Sequence, residues 1–128
     1  MASAQIPLSE QLKKLTPGVR SIVQAARRTV KAVAPGAAEI TAQSQPPRSS
    51  SYMWKMVRYE VGGRKLVGIG AFRAHAAMVF YRGREVDDGT GLMQGGGKEA
   101  RFITLLTPAD AQRPAVIRML RKAFKLGG

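Results

Sequence analysis

Two adjacent glycines, Gly62-Gly63, separate two stretches rich in β-branched and aromatic residues, Tyr52–Val61 and Arg64–Phe72. The tightest hairpin loops need positive φ at one or both central positions, which glycine adopts without a steric penalty. The segment is therefore predicted to be a β-hairpin, and the fold has to be built around an antiparallel pair. Ala76–Tyr81 reads as a third strand and Arg101–Leu106 as a fourth. Between them, Asp87–Gly97 is a loop holding five glycines, with room for a turn of helix at Leu92-Met93.

The flanks are helical. Leu8, Leu12 and Leu15 recur at helical spacing and suggest a short first helix. Thr16-Pro17 is an N-cap followed by proline at the first helical position. From there Val19, Ile22, Val23, Ala26, Val30 and Val33 trace one apolar stripe, so a helix is predicted over residues 17–34, closed by Pro35-Gly36. Thr107-Pro108-Ala109-Asp110 opens a last helix whose apolar face is Val116, Ile117, Leu120 and Phe124. Pro114 marks either its true start or its first turn. Thr41–Ser51, with Pro46-Pro47 and no apolar period, is a loop or an extended cover. The order of elements implies an α+β domain, an antiparallel sheet of about four to five strands with N-terminal and C-terminal helices packed on one face.

The chain has 128 residues, the length of a single domain, with residues 1–15 as an extension carrying the short helix. Val67, Ile69 and Ala71 alternate with Gly68, Gly70 and Phe72, and Ala76–Tyr81 is apolar on both sides. A sheet covered on one face only would alternate with polar residues. The second face is therefore expected to be covered too, by the Pro46-Pro47 segment or by a second subunit in a homodimer. The residues after Met1 show no basic stretch leading into an apolar one, so no secretory signal is expected. The longest apolar run, Leu66–Phe72, is far short of the ~18 residues of a membrane span. A cytoplasmic protein with no membrane contact is the expectation.

Ala71-Phe72-Arg73-Ala74-His75, then Phe80-Tyr81-Arg82-Gly83, then Gly91-Leu92-Met93-Gln94-Gly95-Gly96-Gly97-Lys98-Glu99-Ala100-Arg101 follow one another in an order that resembles the YdhG-like family. The resemblance covers roughly residues 8–125 and takes in the helix after Thr16-Pro17 and the closing helix. It implies a compact α+β fold of a sheet flanked by helices. Some members are described as frataxin-like intracellular iron chaperones, and the resemblance implies that role as an alternative. This chain departs from that role in its acids. Hard cations need oxygen ligands, and only Glu85, Asp87 and Asp88 are grouped. Ala74-His75 also stands where the family often has Asn-His.

No catalytic residue, metal site or cofactor is assigned from the sequence. Cysteine is absent, which removes disulfides, thiolate ligands and a cysteine nucleophile. His75 is the only histidine and reads as a partly exposed turn residue; no nucleophile elbow accompanies it. A Walker A loop ending at Gly97-Lys98 would need glycine at Leu92 and Ser or Thr at Glu99; a dinucleotide fingerprint from Gly89 fails at Gln94. One weaker arrangement survives in the glycine loop. Gly95, Gly96 and Gly97 allow backbone N–H groups to converge on an anion, with Lys98, Arg101 and Arg82 beside them. In that site Lys98 is a point charge and Arg101 a bidentate clamp.

Charge gives the broadest pointer. Lys and Arg total 21 against 8 Asp and Glu, a net +13. Lys13–Lys31 holds six bases and no acid, and Arg113–Lys125 five bases and no acid. Arg20, Arg27, Arg28 and Lys31 on the first long helix, with Arg118, Arg121, Lys122 and Lys125 on the last, could neutralise phosphates. No helix-turn-helix, RNP or zinc-finger pattern accompanies them. The sequence thus points to a non-enzymatic binding protein for an anionic partner, a nucleic-acid backbone or a phosphorylated metabolite. The iron chaperone is the alternative, and an enzyme using the glycine loop the third reading.

Overall fold

The computed structural model describes residues 7–49, 51–87, 89–95 and 97–127. Two N-terminal helices, α1 (Leu8–Lys13) and α2 (Pro17–Val33), precede four strands, β1 (Ala38–Thr41), β2 (Trp54–Val61), β3 (Arg64–Ala71) and β4 (Ala76–Phe80). A single-turn helix α3 (Gly83–Val86), strand β5 (Arg101–Leu105), a 3-10 turn over Pro108–Gln112 and helix α4 (Pro114–Lys125) complete the chain. The strands form one antiparallel sheet in the order β1-β2-β3-β4-β5.

The hairpin turns where the sequence indicates: Gly62 has φ 59° and Gly63 φ 80°. Both are positive, as in the type I′ two-residue loop, whose twist matches that of the strands. α2 starts at Pro17, with the Thr16 side chain accepting from the Val19 N–H. α4 starts at Pro114, which settles the role of that proline. The Thr107-Pro108-Ala109-Asp110 start belongs instead to the 3-10 turn. There Thr107 and Asp110 form a reciprocal capping box, with the Leu106 N–H also donating to Asp110 Oδ2 at 2.8 Å.

Three features differ from the sequence expectation. Strand β1 is an addition, a short edge strand paired with β2 from Ala38↔Glu60 to Thr41↔Val57. No helical turn forms at Leu92-Met93, which pack half-buried against the core as irregular chain. The turn of helix lies earlier, at Gly83–Val86, where Val86 is fully buried. The third concerns the cover of the sheet. Pro46 and Pro47 line a hollow with Leu15, Thr16, Trp54 and Ala71, at the α1–α2 junction. They do not lie over the second face.

The core fills the space between helices and sheet. Val23, Ala26 and Val30 of α2 and Val116 and Leu120 of α4 are fully buried with Met56, Met78 and Phe80 of the sheet. The pairing of Ile69 with Val57 and Met78, and of Met78 with Ile103, puts these side chains in one row on that face. The other face is thinly covered by local side chains. Gly70 is where Met53 lies down: a Cβ there would meet its Sδ at 2.3 Å. Above Gly68 sits the Tyr81 hydroxyl, with Lys65 Nζ 5.4 Å from the Tyr81 ring centroid. Among the described residues no helix is long and apolar enough to cross a membrane.

Candidate functional site: the basic helical layer and the glycine loop

The eight basic helical residues do not form one uniform surface. Two of them hold the fold together. Arg20 Nε donates to the Leu12 carbonyl at 3.0 Å and its Nη2 to the Leu15 carbonyl at 3.0 Å. These carbonyls lie at and just past the end of α1, and that of Leu12 also accepts from the Leu15 N–H at 3.1 Å. Arg20 thereby ties α1 to α2. Arg27 donates to Glu39 through two nitrogens, Nε to Oε2 at 3.1 Å and Nη2 to Oε1 at 2.8 Å. Tyr59 completes the cluster by donating its hydroxyl to Glu39 Oε2 at 2.5 Å. Hydrogen bonding from Arg27 lowers the Glu39 pKa against the opposing effect of burial. Burial, with the nearby carboxylate, pushes the Tyr59 pKa up. This triad locks α2, β1 and β2 together, and sequence reasoning missed it. A lone Glu in a four-residue edge strand carries no periodic signal.

The remaining six point outward. Arg28 and Lys31 are exposed on α2; Arg118, Arg121, Lys122 and Lys125 are exposed on α4. Their spacings of three, four and seven residues place them on one face of each helix. The two helices contact one another and cover the same side of the sheet. Neither Pro17–Val33 nor Pro114–Lys125 contains an acid. Four of the carboxylates elsewhere are engaged locally. Glu10 pairs with Lys13, Glu60 with Arg58 and Glu85 with Arg82, while Asp110 caps the 3-10 turn.

The glycine loop has a different chemistry. Arg82 forms a fork onto Glu85, Nε to Oε2 at 2.6 Å and Nη2 to Oε1 at 2.9 Å. Arg101 Nη1 donates to the carbonyls of Gly97 and, at 2.8 Å, Ala100. The loop therefore turns carbonyl oxygens toward Arg101. Gln94 exchanges two backbone hydrogen bonds with Phe102, at 2.8 and 2.9 Å, which pins the loop along the free edge of β5. Gly95, at φ 118°, lies over the Phe102 ring. Lys98 is exposed. Gly96, and Asp88 of the acidic group, lie outside the described residues. Among the described residues no three His, Cys, Asp or Glu side chains gather to hold a metal ion. His75 sits half-buried in the β3–β4 turn, its ring stacked on Phe72 at 4.4 Å.

One glycine here is fixed by packing. A Cβ at Gly83 would lie 2.4 Å from Arg101 Cβ and 2.7 Å from its backbone nitrogen. Backbone cannot yield as a side chain can. Gly83→Ala is expected to lower stability by about 1–2 kcal/mol and to loosen α3 from β5. Gly70→Ala meets only the flexible Met53 side chain and is expected to cost less. Urea unfolding of the two variants side by side checks the order; a Gly83→Ala protein as stable as wild type contradicts it.

Comparison with protein-family models, with curated proteins and with solved structures finds no match to this chain.

Proposed function

We propose that this chain is a YdhG-like cytoplasmic domain that binds the phosphate backbone of nucleic acid, without reading sequence, through the outer surface of α2 and α4. The observation that carries this is the acid-free pair of adjacent helices exposing Arg28, Lys31, Arg121, Lys122 and Lys125. Such a surface gains free energy by releasing the counterions condensed on phosphates. Among the described residues no aromatic platform accompanies these cations, so the proposal assigns them contacts with phosphates and none with bases. The helical layer is favoured over the glycine loop by the supply of donors. Arg82 is committed to Glu85 and Arg101 is partly committed to loop carbonyls, whereas the five exposed helical cations face solvent. Support for the family comes from the order of its motifs, which fall after β3, after β4 and in the loop before β5. The non-enzymatic reading rests on the same cations, whose part in this proposal is electrostatic attraction to phosphate.

Fluorescence anisotropy of labelled duplexes of unrelated sequence tests this. The affinities are expected to be alike for all sequences, with Kd on the order of 1–100 µM near physiological salt. Each phosphate neutralised should add about −0.9 to the slope of log K against log salt. Absence of binding at low salt would overturn the proposal.

A further inference from the structure

An aromatic hollow lies at the start of α2, beyond the outward cations of the helical layer. It encloses about 220 Å³ and is lined by Tyr52, Trp54, Phe72 and Pro47. Trp54 is held by its indole N–H, which donates to the Gln43 carbonyl at 2.7 Å, and Phe72 stacks on His75. Tyr52 differs from both, since it is 69% exposed. Its backbone is fixed by the Tyr52 N–H, which donates to the Ser49 carbonyl at 3.2 Å. Lys14 and Arg73 line the same hollow and are exposed. Neither forms an ion pair among the described residues.

The hollow opens into a track along α2. Thr16 joins it to a second hollow of about 420 Å³, between the first turns of α2 and the Leu106-Thr107-Pro108 segment. Ser21 and Pro108 join that one to a third of about 310 Å³, which reaches Gln24 and Arg28. Arg28 belongs to the phosphate-binding surface. At Gly18 an added Cβ would meet nothing within 4 Å, so the middle of the track is open. From Thr16 to Arg28 the helix rises about 18 Å. Among the described residues no carboxylate lines any of these hollows.

Charge and shape select the occupant. A duplex offers phosphates but keeps its bases paired and stacked. A small inorganic anion would use the cations and leave the aromatic wall idle. An unpaired strand offers both phosphates and flat bases, and bases stack on exposed aromatic rings whatever their identity. We propose, building on the phosphate-binding reading of the helical layer, that this track holds the unpaired end of a nucleic-acid strand. A base stacks on Tyr52, and the neighbouring phosphates lie beside Lys14 and Arg73.

Anisotropy with one labelled duplex in three forms tests this: blunt, with a short deoxyadenosine overhang, and with an overhang of the same length made of abasic nucleotides. The abasic form keeps the phosphates and lacks the bases. The adenosine overhang is expected to bind about tenfold more tightly than the abasic one, as for a single stacked base. Tyr52→Ala should erase that difference and leave the blunt duplex unchanged, whereas Tyr52→Phe should keep it. Equal affinity of the adenosine and abasic overhangs would overturn the proposal, as would a difference that survives Tyr52→Ala. Binding of the blunt duplex with no gain from the bases would reject the track and leave the helical surface standing. A gain from the bases that needs Tyr52, without blunt-duplex binding, would keep the track and reject the helical surface. No binding of any form rejects both.

Discussion

Replacing Arg28, Lys31, Arg121 and Lys122 together by glutamine is expected to flatten the salt dependence of DNA binding by roughly 3 to 4 units of log–log slope. All four side chains are exposed, on two helices that contact one another. Each neutralises about one phosphate in the proposed complex, and each phosphate contributes about 0.9 to the slope. The wild-type and variant lines converge near about 1 M salt, where counterion release no longer drives binding. At about 0.1 M the variant should therefore bind on the order of a thousandfold more weakly. Stability should hardly move, because glutamine is a good helix former and surface substitutions of this kind stay within about 0.5 kcal/mol each. Arg27→Gln provides the contrast. It removes one cation from the same helix but acts through Glu39, so it should lower stability. Circular dichroism and anisotropy on the two proteins separate these effects. Equal DNA affinity in wild type and the fourfold variant would contradict the assignment.

Glu39→Ala is expected to be the most damaging single change of a charged residue, at about 2–3 kcal/mol. The carboxylate is the hub of the triad, and its loss strands two partners at once. Arg27 keeps a half-buried guanidinium without its acceptor, and Tyr59 a buried hydroxyl. The side chains of Arg27 and Glu39 retain 23% and 18% exposure, which places the cost below that of a fully enclosed pair. Trp54 is the only tryptophan and is buried, so its fluorescence in urea follows unfolding directly. Charge coupling also shows in pH. The folded Glu39 pKa lies below its unfolded value of about 4.3, so the unfolded chain binds more protons in that window. The stability from this pair is fully present above about pH 4.3 and is lost as pH falls through the folded value. Tyr59 acts at the other end. Its folded pKa is raised, so the folded chain keeps a proton that the unfolded chain releases, and stability falls as pH climbs past about 10. Glu39→Gln should flatten the acid limb of the melting curve while Tyr59→Phe flattens the alkaline one. An acid limb unchanged in Glu39→Gln would show that other carboxylates set it.

Most of the scaffold was legible because its signals are local. Gly62-Gly63 permits positive φ at two successive residues, which a two-residue hairpin turn of type I′ needs and few other structures ask for. Thr16-Pro17 and the apolar stripe from Val19 to Val30 define α2 within a residue at each end. What escaped depends on partners distant in sequence. Strand β1 is four residues long and is made by its register with β2, about twenty positions away. Glu39 matters only because Arg27 and Tyr59 arrive beside it. The helical turn expected at Leu92-Met93 formed at Gly83–Val86, where packing of Gly83 against Arg101 outweighs glycine's weak helical preference. The basic residues show the same division. Spacing put Arg20 and Arg27 on the helix face that also holds Arg28 and Lys31. Spacing could not show that Arg20 would reach back to α1 or that Arg27 would meet a carboxylate. Only the structure separates the cations that hold the fold from those that face outward.

In the proposed complex the helical face of the molecule meets the phosphates, and lysine reactivity reads that face directly. Lys31, Lys122 and Lys125 are exposed on the helical layer, whereas Lys55 and Lys65 are exposed on the sheet strands β2 and β3. Acetylation of the protein with and without duplex DNA, followed by mass spectrometry, compares the two sets in one experiment. Protection of Lys31, Lys122 and Lys125 with Lys55 and Lys65 still reactive is the predicted result. Protection of Lys55 and Lys65 with the helical lysines left reactive would contradict it and move the nucleic acid to the sheet.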